Sequence, residues 1–509
     1  MKRPNVLLMI SDQHNAKVTG YAGDPNVRTP NLDKLASEGV RFENAICQNP
    51  ICTPSRVSIF SGQYCHNHGY YGLSGPNPNG LPTMLGHFRR HGYRTSHIGK
   101  AHCPEYWIED DCDVFHETSH TSIGGRSAEY AAYLDERGLT NVEDHRALHE
   151  FGKRGKQAAD ARPSKVSYRD SQEGWTVTKT MEAIKQAQSE DTPFFAVASF
   201  PKPHQCFAPA REFWDLYDQD SIQLPPNADH EDPYEPPNLK KQREHWKRAE
   251  WTLFEPHTFE AGRLRKLHGY LGCVSHVDHA VGELLTFLND SGLSGSTIVV
   301  YSADHGEYAT EHGIMEKAPG IPHEAVTRVP MIWRYPGVTA AGARIRSMME
   351  SVDIAATLPE LCGLPQLETA DGLNIEAYLA GRDEPLRNVA VTEFPWSKSI
   401  QKGRWRMVWY PKEFFAQEYP HGYGQLYDLD EDPWEMRNLY FDNDYKPVVQ
   451  ELERDLFDRL VTTTRPRTGG ADDPMPPSPQ NRLRHTRRTN LDGKIHPRHL
   501  REKGPRNYL

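Results

Sequence analysis

Pro4-Asn5-Val6-Leu7-Leu8-Met9-Ile10, running into Ser11-Asp12-Gln13, is the stretch on which the fold turns. The apolar run at 6–10 is far too short for a membrane span, and no small-residue cleavage site of the secretory kind follows it. It suits a strand buried on both faces of a parallel sheet, where continuous apolar sequence replaces alternation. Asp12 then falls at the carboxyl end of that strand. Next, Thr29-Pro30-Asn31-Leu32-Asp33-Lys34-Leu35-Ala36-Ser37-Glu38-Gly39 offers an N-cap, a proline at the first helical position and a closing glycine, so a short helix is predicted.

The alternation continues. Strands are predicted at 95–98, 193–200 and 296–302, the last two preceded by helical segments at 176–189 and 264–288. The fold class is therefore α/β: a large, mostly parallel sheet flanked by helices. Each strand runs into polar residues: Asp12, then Lys100 and His102, then His204, then Asp304 and His305. Ligands of open α/β sheets collect at the carboxyl ends of strands, so these groups are expected to converge. After about residue 383 the texture changes to shorter strands at 388–393, 405–410 and 425–429 and a helix at 445–460, read as a smaller C-terminal antiparallel α+β subdomain. The predicted divisions are 1–383, 384–462 and a basic Pro/Arg-rich tail, 463–509.

A chain of 509 residues with 37% hydrophobic content has room for a deep site. Its 59 Lys and Arg against 69 Asp and Glu give a net charge of −10, which argues against nucleic acid as a partner. No membrane partner is expected either. As written, the chain reads as cytoplasmic; a periplasmic or secreted location follows if a leader was removed. Residues 465–509 carry eleven basic and four acidic residues, and this tail is read as irregular chain packed on or trailing from the surface. A homo-oligomer bridged by the tail is compatible with that charge. The eight cysteines lack close paired spacing, so neither a disulfide framework nor a zinc site is indicated.

Cys52-Thr53-Pro54-Ser55-Arg56 leads into Val57-Ser58-Ile59-Phe60-Ser61-Gly62. Thr53 and Pro54 can open a helix whose amides and positive dipole end face an anion at Cys52, with Arg56 one turn in. On spacing alone a buried or ordinary reactive cysteine at a helix start fits equally well.

The pentapeptide resembles the Cys-x-Pro-x-Arg signature of type I, formylglycine-dependent sulfatases, within the alkaline-phosphatase-like superfamily. Gly92-Tyr93-Arg94-Thr95 with Gly99-Lys100-Ala101-His102 is similar to that family's second signature, and Lys202-Pro203-His204 to its Pro-His element. Ser302-Ala303-Asp304-His305-Gly306-Glu307, Glu311-His312-Gly313, Lys317 and Thr327-Arg328-Val329-Pro330 resemble its later metal and sulfate segment. Leu426-Tyr427-Asp428-Leu429-Asp430-Glu431-Asp432-Pro433 with Asn438-Leu439 resembles its C-terminal motif.

That resemblance implies a sulfuric ester hydrolase in which a formylglycine-generating enzyme oxidises Cys52 to formylglycine (3-oxoalanine). It implies one divalent metal on Asp12, Gln13, Asp304, His305 and position 52, with Ca²⁺ the first choice and Mg²⁺ or Mn²⁺ as alternatives. Gln13 stands where many members carry a second acid, and His305 where they often carry Asn. One hydroxyl of the hydrated aldehyde attacks sulfur; the second, losing its proton to His102, expels the sulfate. Lys100, His204 and Lys317 hold sulfate, His204 or Lys317 protonates the leaving oxygen, and Arg56 holds position 52.

The implied substrate is a sulfated small molecule or saccharide. A saccharide is favoured because the polar segment 105–165 and the proline-rich loop 225–237 offer walls for a sugar pocket. A phosphonate monoester or phosphate diester hydrolase shares the signature and an Asp-Gln metal start, and an inactive anion- or carbohydrate-binding relative is the reading from another class. Lys202 is expected to be a solvated loop charge, His312 and His323 structural or peripheral. Trp405, Trp409, Tyr410, Phe414 and Phe415 are expected in the subdomain core.

Overall fold

The computed structural model describes residues 3–75, 80–118, 128–139, 161–248, 259–317 and 321–465. The tail beyond Arg465 and much of the segment 105–165 lie outside them. The principal strands are β1 (Asn5–Asp12), β2 (Val40–Phe42), β3 (Ala45–Ile46), β4 (Arg94–Gly99), β5 (Val114–Glu117), β6 (Phe194–Pro203), β7 (Thr297–Ala303), β8 (Met331–Arg334) and β9 (Ala343–Ile345). Eight of them form one sheet in the order β5-β4-β6-β1-β7-β8-β2-β9, parallel except where β8 runs against β7 and β2.

β1 occupies the middle, as its sequence requires. Val6, Leu8 and Ile10 enter an apolar cluster with Val57, Ile59 and Phe60 on one face. Leu7 and Met9 enter a second cluster with Ile184, Val277 and Val281 on the other. The first face is covered by the helix Cys52–Ser61, the second by Gln172–Ser189 and Phe259–Asp290. The predicted helix after Thr29 runs Pro30–Glu38 with its proline at the start.

The short β10 (Met349–Glu350) pairs with β3. The C-terminal sheet has four strands, β11 (Ala390–Glu393), β12 (Lys398–Lys402), β13 (Trp405–Trp409) and β14 (Gly424–Asp428), all antiparallel and backed by the helix Lys446–Thr463. The aromatic group there divides: Tyr410 and Phe415 join Tyr423 in a small core, whereas Trp409 and Phe414 are exposed. Arg465, the last described residue, is buried and ion-paired with Asp371. All eight cysteines are free thiols.

Candidate active site

β4, β6, β1 and β7 are adjacent in the sheet and parallel, so their carboxyl ends open on one side of it. Asp12 ends β1, Lys100 follows β4, His204 follows β6 and Asp304 follows β7. The expected convergence follows from this strand order. The helix Cys52–Ser61 delivers its first residue to the same place, with Ile51 as an extended N-cap. Its far end is fixed by Gly62, whose φ of 70° and tight approach to Ala370 and Ala355 leave no room for a side chain.

Cys52 Sγ lies 3.3 Å from His305 Nε2 and 3.7 Å from Asp12 Oδ1, and His305 Nε2 lies 3.7 Å from Asp12 Oδ1 and 3.9 Å from Asp304 Oδ1. These four residues form one buried group of potential ligands. His305 Nδ1 donates to the Gly306 carbonyl at 2.8 Å, which leaves the Nε2 lone pair facing the other three. Burial, only partly offset by Asp304, pulls the His305 pKa down to about 3, so the imidazole is neutral and fit to ligate. Gly306 must be glycine: an added Cβ would meet the Ala325 carbonyl oxygen at 2.0 Å. Two carboxylates and a neutral imidazole at these separations are donors suited to a divalent cation with bonds of about 2.0–2.6 Å.

Burial resists ionisation of Asp304, but the positive charges of Arg56 and Lys100 help to offset it and hold its carboxyl below the usual range. Arg56, fully buried, gives Nε to Asp304 Oδ2 at 2.8 Å and Nη1 to the Lys100 carbonyl and to Ser199 Oγ, both at 2.8 Å. It thus ties the ends of β4, β6 and β7 together. Ser55 adds a hydrogen bond to the Asp304 carbonyl.

Lys100 is ion-paired with Asp12, and burial pulls its pKa down to about 7 against the attraction of Asp304. Lys317 Nζ lies 3.6 Å from Cys52 Sγ, 3.3 Å from His204 Nε2 and 2.8 Å from Gln13 Oε1. The Gln13 carbonyl is therefore engaged by an ammonium, while its backbone N–H donates to Asp304 Oδ1 at 3.0 Å. His204 Nδ1 is hydrogen-bonded to the Gln205 carbonyl, 2.6 Å away. Burial and the neighbouring lysines keep both His204 and His102 neutral, well below the ordinary histidine value. His102, with φ of 45°, has a buried Nδ1 that makes no hydrogen bond. Burial pushes the Cys52 thiol up despite Lys317, which disfavours the thiolate that an ordinary reactive cysteine needs.

One expectation is corrected. Lys202 is not a solvated loop charge: β6 runs on to Pro203, and Lys202 is buried 3.2 Å from Glu173. The loop 225–237 is pinned to the C-terminal segment by bonds from Asn227 to the Trp434 carbonyl and between His230 and the Met436 carbonyl. Its first residues wall a cavity of about 290 Å³ beside Lys17, Glu311 and Trp434, which shares no lining residue with the Cys52 group. His312 and His323 are both buried, apart from the Cys52 group. Their rings stack at 4.2 Å, His323 edge-on to Tyr427 of β14, next to Glu435, which pairs with Arg406 at 3.0 Å.

The sequence reading also missed Ser199, Gln205, Glu307 and Glu316. Burial pushes the Glu307 carboxyl up to about 7 while it accepts from Gln13 Nε2 and from the Ala309 and Glu316 amides. A buried acid next to the Asp-His pair was the one available signal.

Comparison with known proteins agrees with this geometry. The family model described as Sulfatase matches residues 4–364, and that of the N-sulphoglucosamine sulphohydrolase C-terminal region matches 310–461. An ulvan-active sulfatase of Formosa agariphila is 26% identical over 471 residues, covering 90% of this chain and 81% of the relative. Among solved structures, one in complex with its substrate D-glucosamine-2-N,6-O-disulfate superposes with a TM-score of 0.72 at 20% identity, covering 90% of this chain and 98% of the other. The phosphonate monoester hydrolase of Silicibacter pomeroyi gives 0.73 at 21% identity, covering 90% and 95%. These last two establish the shared fold. With its catalytic domain matched from β1 to beyond the last strand of the large sheet, the chain belongs to the sulfatase family and is a sulfuric ester hydrolase.

Proposed function

We propose that this enzyme removes sulfate from a sulfated saccharide, using formylglycine at position 52 and one divalent cation held by Asp12, Asp304, His305 and Gln13. The observation that carries the reading is the placement of Lys317 beside Cys52, with His204 next to it, at the buried group of potential ligands. Once oxidised and hydrated, position 52 supplies the attacking oxygen, and the cation lowers the cost of its deprotonation.

The chain's own residues do the rest. Lys317 and Lys100 bring two ammonium groups to the side where sulfate oxygens gather charge. His204 or Lys317, 3.3 Å apart between Nε2 and Nζ, gives the proton to the departing alcohol. His102, also neutral, is in the form required of a base. Arg56 keeps Asp304 ionised and the three strand ends in register.

Calcium, with magnesium or manganese as alternatives, is the proposed ion, because most of the donors are oxygens. Maturation is assigned to a formylglycine-generating enzyme. The saccharide class is supported by the ulvan-active relative and by the disulfated glucosamine in the fold neighbour. For the chain as given the proposed compartment is the cytoplasm, to be checked by fractionation of the native source; the apolar run at 6–10 is a buried strand.

A second reading, hydrolysis of phosphonate monoesters, whose substrates are monoanions like sulfate monoesters, is favoured by the Asp12-Gln13 pair at the start of the metal site, which resembles that of such hydrolases. Matured enzyme would be given sulfated saccharides, an aryl sulfate and a phosphonate monoester of the same alcohol, with Cys52→Ala as blank. Faster turnover of the phosphorus ester would overturn the first reading.

A further inference from the structure

The side-chain amide of Gln13 is almost symmetric in shape, so only hydrogen-bond polarity decides which end is oxygen. Here both ends are specified. Nε2 faces two acceptors, Glu307 and Gln205 Oε1 at 2.8 Å, and Oε1 faces the Lys317 ammonium at 2.8 Å. Glu307 is fully buried, and its other oxygen accepts from the Ala309 amide at 3.1 Å and from the amide of Glu316, the residue before Lys317. One carboxylate therefore holds Gln13 through one oxygen and the Lys317 segment through the other. Gln205, which also donates to Glu316 Oε2 at 3.1 Å, closes the ring.

We propose that Glu307 is a positioning residue: it sets the Gln13 carbonyl toward Lys317 and the metal ligands, and keeps Lys317 within reach of position 52. It touches neither substrate nor metal. Three N–H donors point at its two oxygens, so no orientation of a glutamine side chain there satisfies them all. In Glu307→Gln the amide group would face either Gln13 Nε2 or the Ala309 and Glu316 amides, donor against donor. Gln13→Glu is equally mismatched, carboxylate against carboxylate. The double exchange is matched again at position 307, and at Gln205 once its amide turns over: the carboxamide at position 307 accepts from the two backbone amides and donates to the carboxylate at position 13, whose second oxygen meets Lys317.

The test is a double-mutant cycle on the full chain: wild type, Gln13→Glu, Glu307→Gln and the double variant, each titrated with Ca²⁺ or Mn²⁺ alone against a competing chelator, then assayed for kcat and KM. Each single variant is expected to weaken metal binding about 10-fold or more. The double variant is expected to recover most of that loss, with kcat recovering more than KM changes. Additive losses, or Glu307→Gln binding metal within about twofold of wild type, would overturn the proposal. If Glu307→Gln fails to fold, Gln13→Glu decides alone. At mildly alkaline pH it should bind the cation more weakly despite its added negative charge, and tighter binding would refute the assignment. The inference rests on the sulfatase reading only for its kinetic arm. Metal titration needs no substrate, so the two can fail separately.

Discussion

Replacing Arg56 by methionine tests whether the strand ends are held together as described. Arg56→Met keeps much of the side-chain length but removes a guanidinium bonded to Asp304, the Lys100 carbonyl and Ser199. Removing one partner of a buried ion pair leaves the other charge uncompensated, at a cost of about 3–5 kcal/mol. With an unfolding entropy of about 2.1 cal/mol/K per residue over roughly 380 residues, that corresponds to a Tm lowered by about 4–6 °C. Scanning calorimetry in chelator should show the full drop, and saturating divalent cation a smaller one, because the ion supplies positive charge beside Asp304. The pH dependence has a definite sign. Asp304 is depressed in the folded state, so its pairing contributes stability above the unfolded carboxyl value of about 3.9, and this is lost as pH falls through the folded value. The gap between wild type and variant should thus be largest near neutrality and close on acidification. A shift below about 1 °C at neutral pH, or a gap that widens in acid, would refute the reasoning.

Lys202→Met should lower Tm by a similar ~4–6 °C, because buried Glu173 loses its partner, while kcat/KM stays within about twofold; a raised KM would instead mean substrate contact. Dialysis against a chelator should abolish turnover and, for an ion at about 100 times its Kd, lower Tm by about 3 °C, with elemental analysis giving one ion per chain. His204→Gln should slow esters of poor leaving alcohols by about 10²–10⁴ and aryl sulfates far less, as checked by kcat across a leaving-group series; an equal effect on both would remove His204 from proton transfer.

The central architecture was legible because β1 is apolar on both faces and each neighbouring strand ends in a polar residue. Those features alone place Asp12, Lys100, His204 and Asp304 on one side of the sheet. What escaped depends on partners remote in sequence. Lys202 precedes a proline and reads as loop; only Glu173, on a helix covering the sheet, makes it a buried charge. β12 carries a single Ile among Lys, Ser and Gln, too polar to announce a strand, and is held by pairing with β11 and β13 on both sides. The family resemblance implied Gln13 as a ligand, but its amide orientation is set by Glu307, nearly three hundred residues away.

The place of β1 at the middle of the sheet also governs events during synthesis. Val6 pairs with Phe195 on one side and Ile298 on the other, so the first strand made waits for two of the later ones. At about 5–20 residues per second, the roughly 300 residues through β7 take ~15–60 s to emerge, and until then the Cys52 helix has no completed sheet to cover it. In the finished protein Cys52 is 1% exposed. The oxidising enzyme proposed for position 52 would therefore reach its thiol in that interval, with little access afterwards.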